Sequence, residues 1–493
     1  MRTRRILVAL IGLLFAALGL HFWLAPGAAA LRFHLAAVGT AGYTTLRADL
    51  GGLFVALGVL CLAGAWMRRR ALLLSAALVL AAIVLGRTIA LVAAGGAADV
   101  PAFAIELGAI AALWFYARGL RIPADGASKP VGRRALLIGA SASFVIVGLI
   151  AAGLDHRVET ALFDSAARRL VALNPALLAD DALRVVICGT SGPPPSPHRA
   201  KACVAVFAGG KFYVVDVGPE SVENLVLWGV PLGDIGGVLL THFHSDHIGD
   251  LGELNLQTWV QGRPAPLAVY GGPGIEQVVD GFNQAYRLDQ GYRTEHHTAK
   301  LMPPETWPLV AHRVEPAGER APRTAIVMDD GALRITAIEV GHGPVHPAYA
   351  YRFDYKGRSV VVTGDMEPFP PLAEAAAGAD VLVSEALARP MIKTLEASSA
   401  AGGRERIAAL MHDIQGYHIS PLEVAEIANR AQVRLLVLYH LLPAPDNPIA
   451  RRLFGHGVAD ARKGDWEIAE DGSLYTLPLG SVDIHIGEVA APQ

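Results

Sequence analysis

The sequence predicts an α/β domain of αββα layering preceded by an all-α set of membrane-crossing helices. Three observations carry this. Apolar residues make up 53% of the 493, and they crowd into the first third, where Ala, Leu, Val, Ile and Gly are broken by short basic clusters. From Leu183 the pattern becomes short β-branched runs separated by Gly, which read as buried strands. Those runs first follow one another directly and later alternate with helical stretches, as expected for two packed sheets with helices outside. The expected division is a transmembrane domain over 1–154, a helical linker over 155–182 and a soluble domain over 183–493.

Five apolar segments are near the roughly 20 residues a helix needs to cross hydrocarbon. They are Ile6–Leu24, Leu50–Met67, Ala71–Ala94, Val100–Tyr116 and Ala135–Leu154. Ile6–Leu24 also has the basic start of a cleavable signal peptide, but its length and the four further segments favour a span. Basic residues at the N-terminus, at Arg68–Arg70 and from Arg118 to Arg134 fall on one side if all five cross, and that side is cytoplasmic. The soluble domain then lies outside, in the periplasm of a bacterium. Failure of the fourth segment to cross would make it cytoplasmic. Arg87 and Glu106 lie inside apolar runs, which suggests an ion pair between the third and fourth helices.

In the soluble part, "LRVVICGT", "FYVVDVG" and "GGVLLTHFHSDH" read as early strands, the last ending on a His-rich turn. "LRITAIEVGH", "AYAYRFDY", "RSVVVTGD" and "ADVLVSEA" follow, and a helix over Pro421–Ala431 precedes "VRLLVLYH". The turn holds His242, His244, Asp246 and His247 within six positions. Three imidazoles and a carboxylate at that density suit zinc or a similar divalent ion.

"THFHSDHIGDL" resembles the signature of the metallo-β-lactamase superfamily, and the rest of the motif set follows in order. His342 in "VGHGPVHPAYAYR", Asp365 in "VVVTGDMEP" and His440 in "LVLYHLLP" complete it, with His346 as a rival to His342. The resemblance implies one metal on His242, His244 and His342, a second on Asp246, His247 and His440, and Asp365 between them. It implies two divalent ions, zinc first, with manganese or iron as alternatives. Such a pair lowers the pKa of a water and holds charge developing on a phosphoryl or acyl oxygen. Asp246 would orient the attacking hydroxide or accept its proton. The first four apolar segments, with "RADLGGLFVALGVL" and "GRTIALV", resemble a small family of four-helix bacterial membrane domains, which implies membrane location alone.

"CGTSGPPPSPHRAKACVAV" and "GYHISPLEVAEIA" resemble the branch that includes ribonuclease Z and arylsulfatase- or phosphodiesterase-like enzymes. In that branch a His paired with a Glu assists the leaving group; His418 and Glu385 fit those positions, although Ser384 stands where a His is common. A segment over about 271–331 resembles the insertions that roof the substrate, and offers Tyr292, Arg293, His296 and His297 as substrate contacts. Helical packing of its own aromatics is the alternative.

The reading reached is a membrane-anchored dinuclear hydrolase of phosphodiester or sulfate esters, with a small-molecule or lipid-like substrate. A ribonuclease Z-like endoribonuclease, a lactonase or acyl hydrolase, and a transport or sensing protein with an accessory metal domain are the alternatives. Net charge −3 and the lack of a basic, Gly-rich arm argue against a nucleic-acid partner. Cys188 and Cys203 flank the first loop of the soluble domain and would form a disulfide on an exterior face, but stay reduced in the cytoplasm.

Overall fold

The computed structural model describes residues 2–31, 43–94, 100–120, 160, 163–164, 167–168 and 171–489. The chain divides into two compact units, Met1–Gly148 and Leu149–Gln493.

The first unit is helical, with long helices over Arg2–Leu24, Gly52–Met67, Arg70–Ala94 and Val100–Arg118. Gly58 lets the first two meet backbone to backbone: a Cβ there would sit 2.8 Å from Gly12 O. Val8, Phe15, Leu57, Leu73, Leu80 and Leu113 form the interior. The outward surface is apolar too, exposing Leu10, Leu14, Val59, Leu78 and Phe115. Two helices, Arg5–Leu24 and Tyr43–Met67, are long and apolar enough to cross a membrane. Among the described residues these are the two of the five expected segments that meet that measure. The third segment forms the helix Arg70–Ala94, whose side chains are described to Leu85. The fourth forms a helix that buries Glu106. The fifth, 135–154, lies outside the described residues, as do the side chain of Arg87 and most of the linker. The exterior placement needs an odd number of crossings and so rests on segments outside the described residues.

The second unit is a mixed α/β sandwich. Its first eight-stranded sheet contains β1 (Ala182–Gly189), β2 (Cys203–Ala208), β3 (Lys211–Val215), β4 (Ile235–Leu239), β5 (Leu267–Gly271) and β6 (Leu309–Arg313). The seven-stranded sheet contains β7 (Thr324–Asp329), β8 (Leu333–Val340), β9 (Ala348–Tyr355), β10 (Arg358–Thr363), β11 (Val381–Leu387), β12 (Leu435–Leu442) and β13 (Asp465–Ile468). The chain then returns to the first sheet as β14 (Ser473–Pro478) and β15 (His485–Glu488), giving the order β15-β14-β1-β2-β3-β4-β5-β6.

Alternate residues of both sheets meet between them: Val185, Ile187, Val204 and Val206 from one, Ile335, Ala337, Tyr351, Phe353 and Val360 from the other. Complete burial of such side chains stabilises by about 1.5–3 kcal/mol each. The other faces pack on helices, as where Val424, Ala425, Ile427 and Ala428 of the helix Pro421–Arg430 join Leu436 and Leu438 of β12. That helix starts with a capping box in which Ser420 and Glu423 satisfy each other's backbone donors.

Strand direction decides where the site lies. β9 is antiparallel to both β8 and β10, while β11 and β12 are parallel to β10. β8, β10, β11 and β12 therefore finish at one edge. His342 follows β8, Asp365 follows β10, Glu385 lies in β11 and His440 near the end of β12. Open α/β sheets place ligands at such an edge.

Candidate metal centre

After β4 the chain bends at Thr241, reaches an extended His244 and then turns into the short helix Ser245–Ile248. That stretch aims His242 and His244 together, and the helix brings Asp246 and His247 to the neighbouring position. The ligand atoms of His242, His244, His342 and Asp365 lie within 4.8 Å of one another, and so do those of Asp246, His247 and His440. Asp365 joins the two groups. Its Oδ2 is 3.9 Å from His242 Nε2 and 3.8 Å from His342 Nε2. Its Oδ1 is 3.3 Å from His247 Nε2 and 3.2 Å from His440 Nδ1. His346 is exposed and lies beside Glu339 instead.

The donor chemistry fits cations. Four buried atoms that face this space, His247 Nε2, His342 Nε2, His440 Nδ1 and Asp365 Oδ1, have no hydrogen-bond partner among the described residues. Leaving such groups unsatisfied costs about 1–3 kcal/mol each. Burial, followed by the charge of His247, holds His242 well below its ordinary pKa, so its imidazole is neutral near pH 7 and offers a lone pair. Burial likewise brings His342 down to about 4. Burial pushes the Asp365 carboxyl up, but His440 and His247 overcome it and keep the group ionised.

Hydrogen bonds fix which nitrogen of His242, His247 and His342 faces the centre. Thr241 Oγ1 lies 3.0 Å from His242 Nδ1 and donates to Asp216 Oδ2 at 2.8 Å. The same carboxylate receives His247 Nδ1 at 2.7 Å and Thr241 N at 2.8 Å. Tyr417 O receives His342 Nδ1 at 2.9 Å. In these three rings Nδ1 is thus the donor, which leaves Nε2 as the acceptor. Asp216 is the residue that sequence reading missed. It ends the strand "FYVVDVG", where a carboxylate at the close of an apolar run was a usable signal, because a buried charge needs partners. Asp216→Asn is expected to weaken metal binding at the His247 position by roughly 10–100-fold. Competition with a chromophoric chelator measures this, and unchanged affinity would refute the role.

His418 and Glu385 also meet. His418 Nδ1 is 3.0 and 3.1 Å from the two Glu385 oxygens and 3.9 Å from Asp365 Oδ2. Met366 N donates to Glu385 Oε1 at 2.8 Å, which holds the carboxylate in place. Burial alone would lower the His418 pKa, but the charges of Glu385 and then Asp365 raise it to about 9. A protonated imidazole therefore stands beside the cluster at neutral pH.

The expected substrate contacts are not brought to this centre. Tyr292, Arg293, His296 and His297 lie on the helix Arg287–His297, which has no buried residue. Arg293 Nε is bonded to Asp289 at 2.7 Å, and the His296 and His297 rings pack on each other at 4.7 Å. No contact joins these four to the cluster among the described residues. The reason is helical geometry: the apolar roots of the insertion, Tyr286, Met302 and Trp307, pack on Leu256 and Trp259 and leave its polar side to solvent.

The pattern of the Metallo-beta-lactamase superfamily matches residues 198–393. The chain is 36% identical over 265 residues to the ribonuclease Z of Mycobacterium marinum, spanning 53% of this chain and 87% of that protein. The chain belongs to the metallo-beta-lactamase superfamily. Another ribonuclease Z, from Mycobacterium sp. (strain KMS), is 31% identical over 317 residues, covering 63% of this chain and 99% of its own length. Human tRNase Z, short form, is 20% identical with a TM-score of 0.44, covering 60% of this chain and 99% of that one.

As a member of the metallo-beta-lactamase superfamily with these homologues, the chain is a hydrolase. The relatives overturn the expectation that set nucleic acid aside in favour of a small or lipid-like ester. That expectation leaned on net charge, which sums an apolar helical unit and a catalytic unit and carries no information about the field at one edge of one sheet.

Proposed function

We propose that the second unit is a metal-dependent phosphodiesterase acting on RNA, in the manner of ribonuclease Z. The observation that carries this is His418 held by Glu385 beside the Asp365 cluster. Phosphodiester cleavage expels an alkoxide, a poor leaving group that needs a proton as the bond breaks. His242, His244, His342 and Asp365 would hold one ion, and Asp246, His247, His440 and Asp365 the other. When bound, such ions supply Lewis acidity toward a phosphoryl oxygen and toward water. Asp246 is placed to orient water: burial pushes its carboxyl up, but His440 and His247 keep it ionised. His418, through its Nε2, hands a proton to the departing oxygen, and Glu385 keeps that proton available.

The test is full-length chain, zinc-loaded in detergent, offered 3′-extended transfer RNA, unstructured RNA, a bis-aryl phosphodiester and an aryl sulfate. RNA cleavage that disappears in His242→Ala supports the reading. Turnover of the aryl esters with no RNA cleavage would sink it.

We also propose that Arg5–Leu24 and Tyr43–Met67 hold the enzyme in a membrane. Their support is the exposed Leu10, Leu14 and Val59, an outer surface more apolar than water tolerates. Alkaline carbonate is expected to leave the chain in the membrane pellet. Release into the supernatant refutes the anchor.

A further inference from the structure

His440 is the least comfortable residue of the cluster. It occupies a bulge: Tyr439 pairs with Glu385 and Leu441 with Ala386, so His440 is the extra residue in β12. Its φ is +42°, in the left-handed region that side chains other than glycine rarely adopt. Bulges re-aim a side chain, but something must hold them.

The loop after β1 lies against this bulge. Leu441 N donates to Thr190 O at 2.7 Å. Gly192 packs so close that a Cβ would meet His440 Cε1 at 3.1 Å and Leu442 Cδ2 at 2.7 Å. Cys188 and Cys203 are bridged, which closes the loop at its base. Asp471 ties both of its arms. Asp471 Oδ1 accepts from Thr190 N at 2.9 Å and Thr190 Oγ1 at 2.6 Å; its Oδ2 accepts from Ala200 N at 2.6 Å and Asn224 Nδ2 at 3.1 Å. Buried Arg199 adds a bond to Thr190 Oγ1 at 2.9 Å and one to Ala469 O at 3.0 Å.

Resting on the metal reading above, we infer that Asp471 is a positioning residue for the second metal: it fixes Thr190, and Thr190 and Gly192 fix the bulged backbone that aims His440. Asp471 touches neither metal ligand nor substrate. Four donors converge on one carboxylate, so Asn at 471, which replaces one acceptor oxygen by a donor, cannot serve them all. The loop then loosens at Thr190, and His440 relaxes toward an ordinary strand conformation. The first metal position, built on His242, His244 and His342, has no member in this chain of contacts.

The experiment is a titration of the metal-stripped, full-length chain with Zn²⁺ against a competing chelator, in detergent. Wild type is expected to bind two equivalents. Asp471→Asn is expected to keep the first at wild-type affinity and to weaken the second by roughly 10–100-fold. Gly192→Ala presses a methyl on His440 without touching the carboxylate, and is expected to do the same. Wild-type binding of both equivalents by Asp471→Asn overturns the inference, as does equal weakening of both, which marks a general loss of structure. Should Asp471→Asn not fold, Gly192→Ala decides: selective loss of the second equivalent supports the link, and an unchanged titration overturns it. A wild type that binds no second ion overturns the metal-pair reading beneath the inference, and the inference with it.

Discussion

Exchange of Asp365 for Asn is expected to lower turnover by roughly 10³–10⁵-fold, the equivalent of several kcal/mol of charge stabilisation. The two oxygens of Asp365 face different groups, Oδ2 toward His242 and His342 and Oδ1 toward His247 and His440. Asn keeps the volume but turns one of those oxygens into an amide donor, which a cation repels. One metal position therefore loses its only shared anion, and zinc content should fall to one equivalent or less. The fold should survive, because the strand ends that carry the cluster are held by the core between the sheets, where Val360 and Val362 of β10 are fully buried. A variant that keeps turnover within tenfold of wild type, with both equivalents bound, would remove Asp365 from the bridging position.

Asp365 was read from the sequence and the role of Asp216 was not, and the difference is physical. The ligand set is read from local density, because His242, His244, Asp246 and His247 lie within six positions and the later members close recognisable strands. Asp216 and Asp471 act through partners distant in sequence: Asp216 on His247, Asp471 on Thr190 and Ala200. No period or spacing records such a link. The αββα layering was legible for a related reason, since alternating burial in β8 follows from its own residues. The bulge at His440 was not, because it depends on β11 and on the loop after β1. The four lid residues were chosen on side-chain chemistry alone. Aromatic and basic side chains suit a substrate, but on Arg287–His297 they coat a surface helix.

Replacement of His418 by Ala is expected to cost roughly 10²–10⁴-fold in kcat on RNA, the usual worth of a positioned general acid. The loss should depend on the leaving group. An aryl phosphodiester expels a phenolate that needs little protonation, so the same variant should lose far less on it. A fall of equal size on both substrates would make His418 a binding or structural residue instead. The pH profile tests its partner. With the His418 pKa near 9, the proton is present at pH 7 and is lost as pH rises through about 9. Glu385→Gln removes the foremost of the charges that oppose burial, so the alkaline limb should move down toward the ordinary 6.5 or below. Any cation in the cluster acts on both proteins alike, and the displacement between their limbs is the measure. The sign for stability agrees: a histidine with a raised folded pKa contributes fully below about 6.5 and loses that contribution as pH climbs through about 9. Glu385→Gln should therefore narrow the pH range of both activity and stability from the alkaline side, and a limb that stays in place would separate Glu385 from proton control.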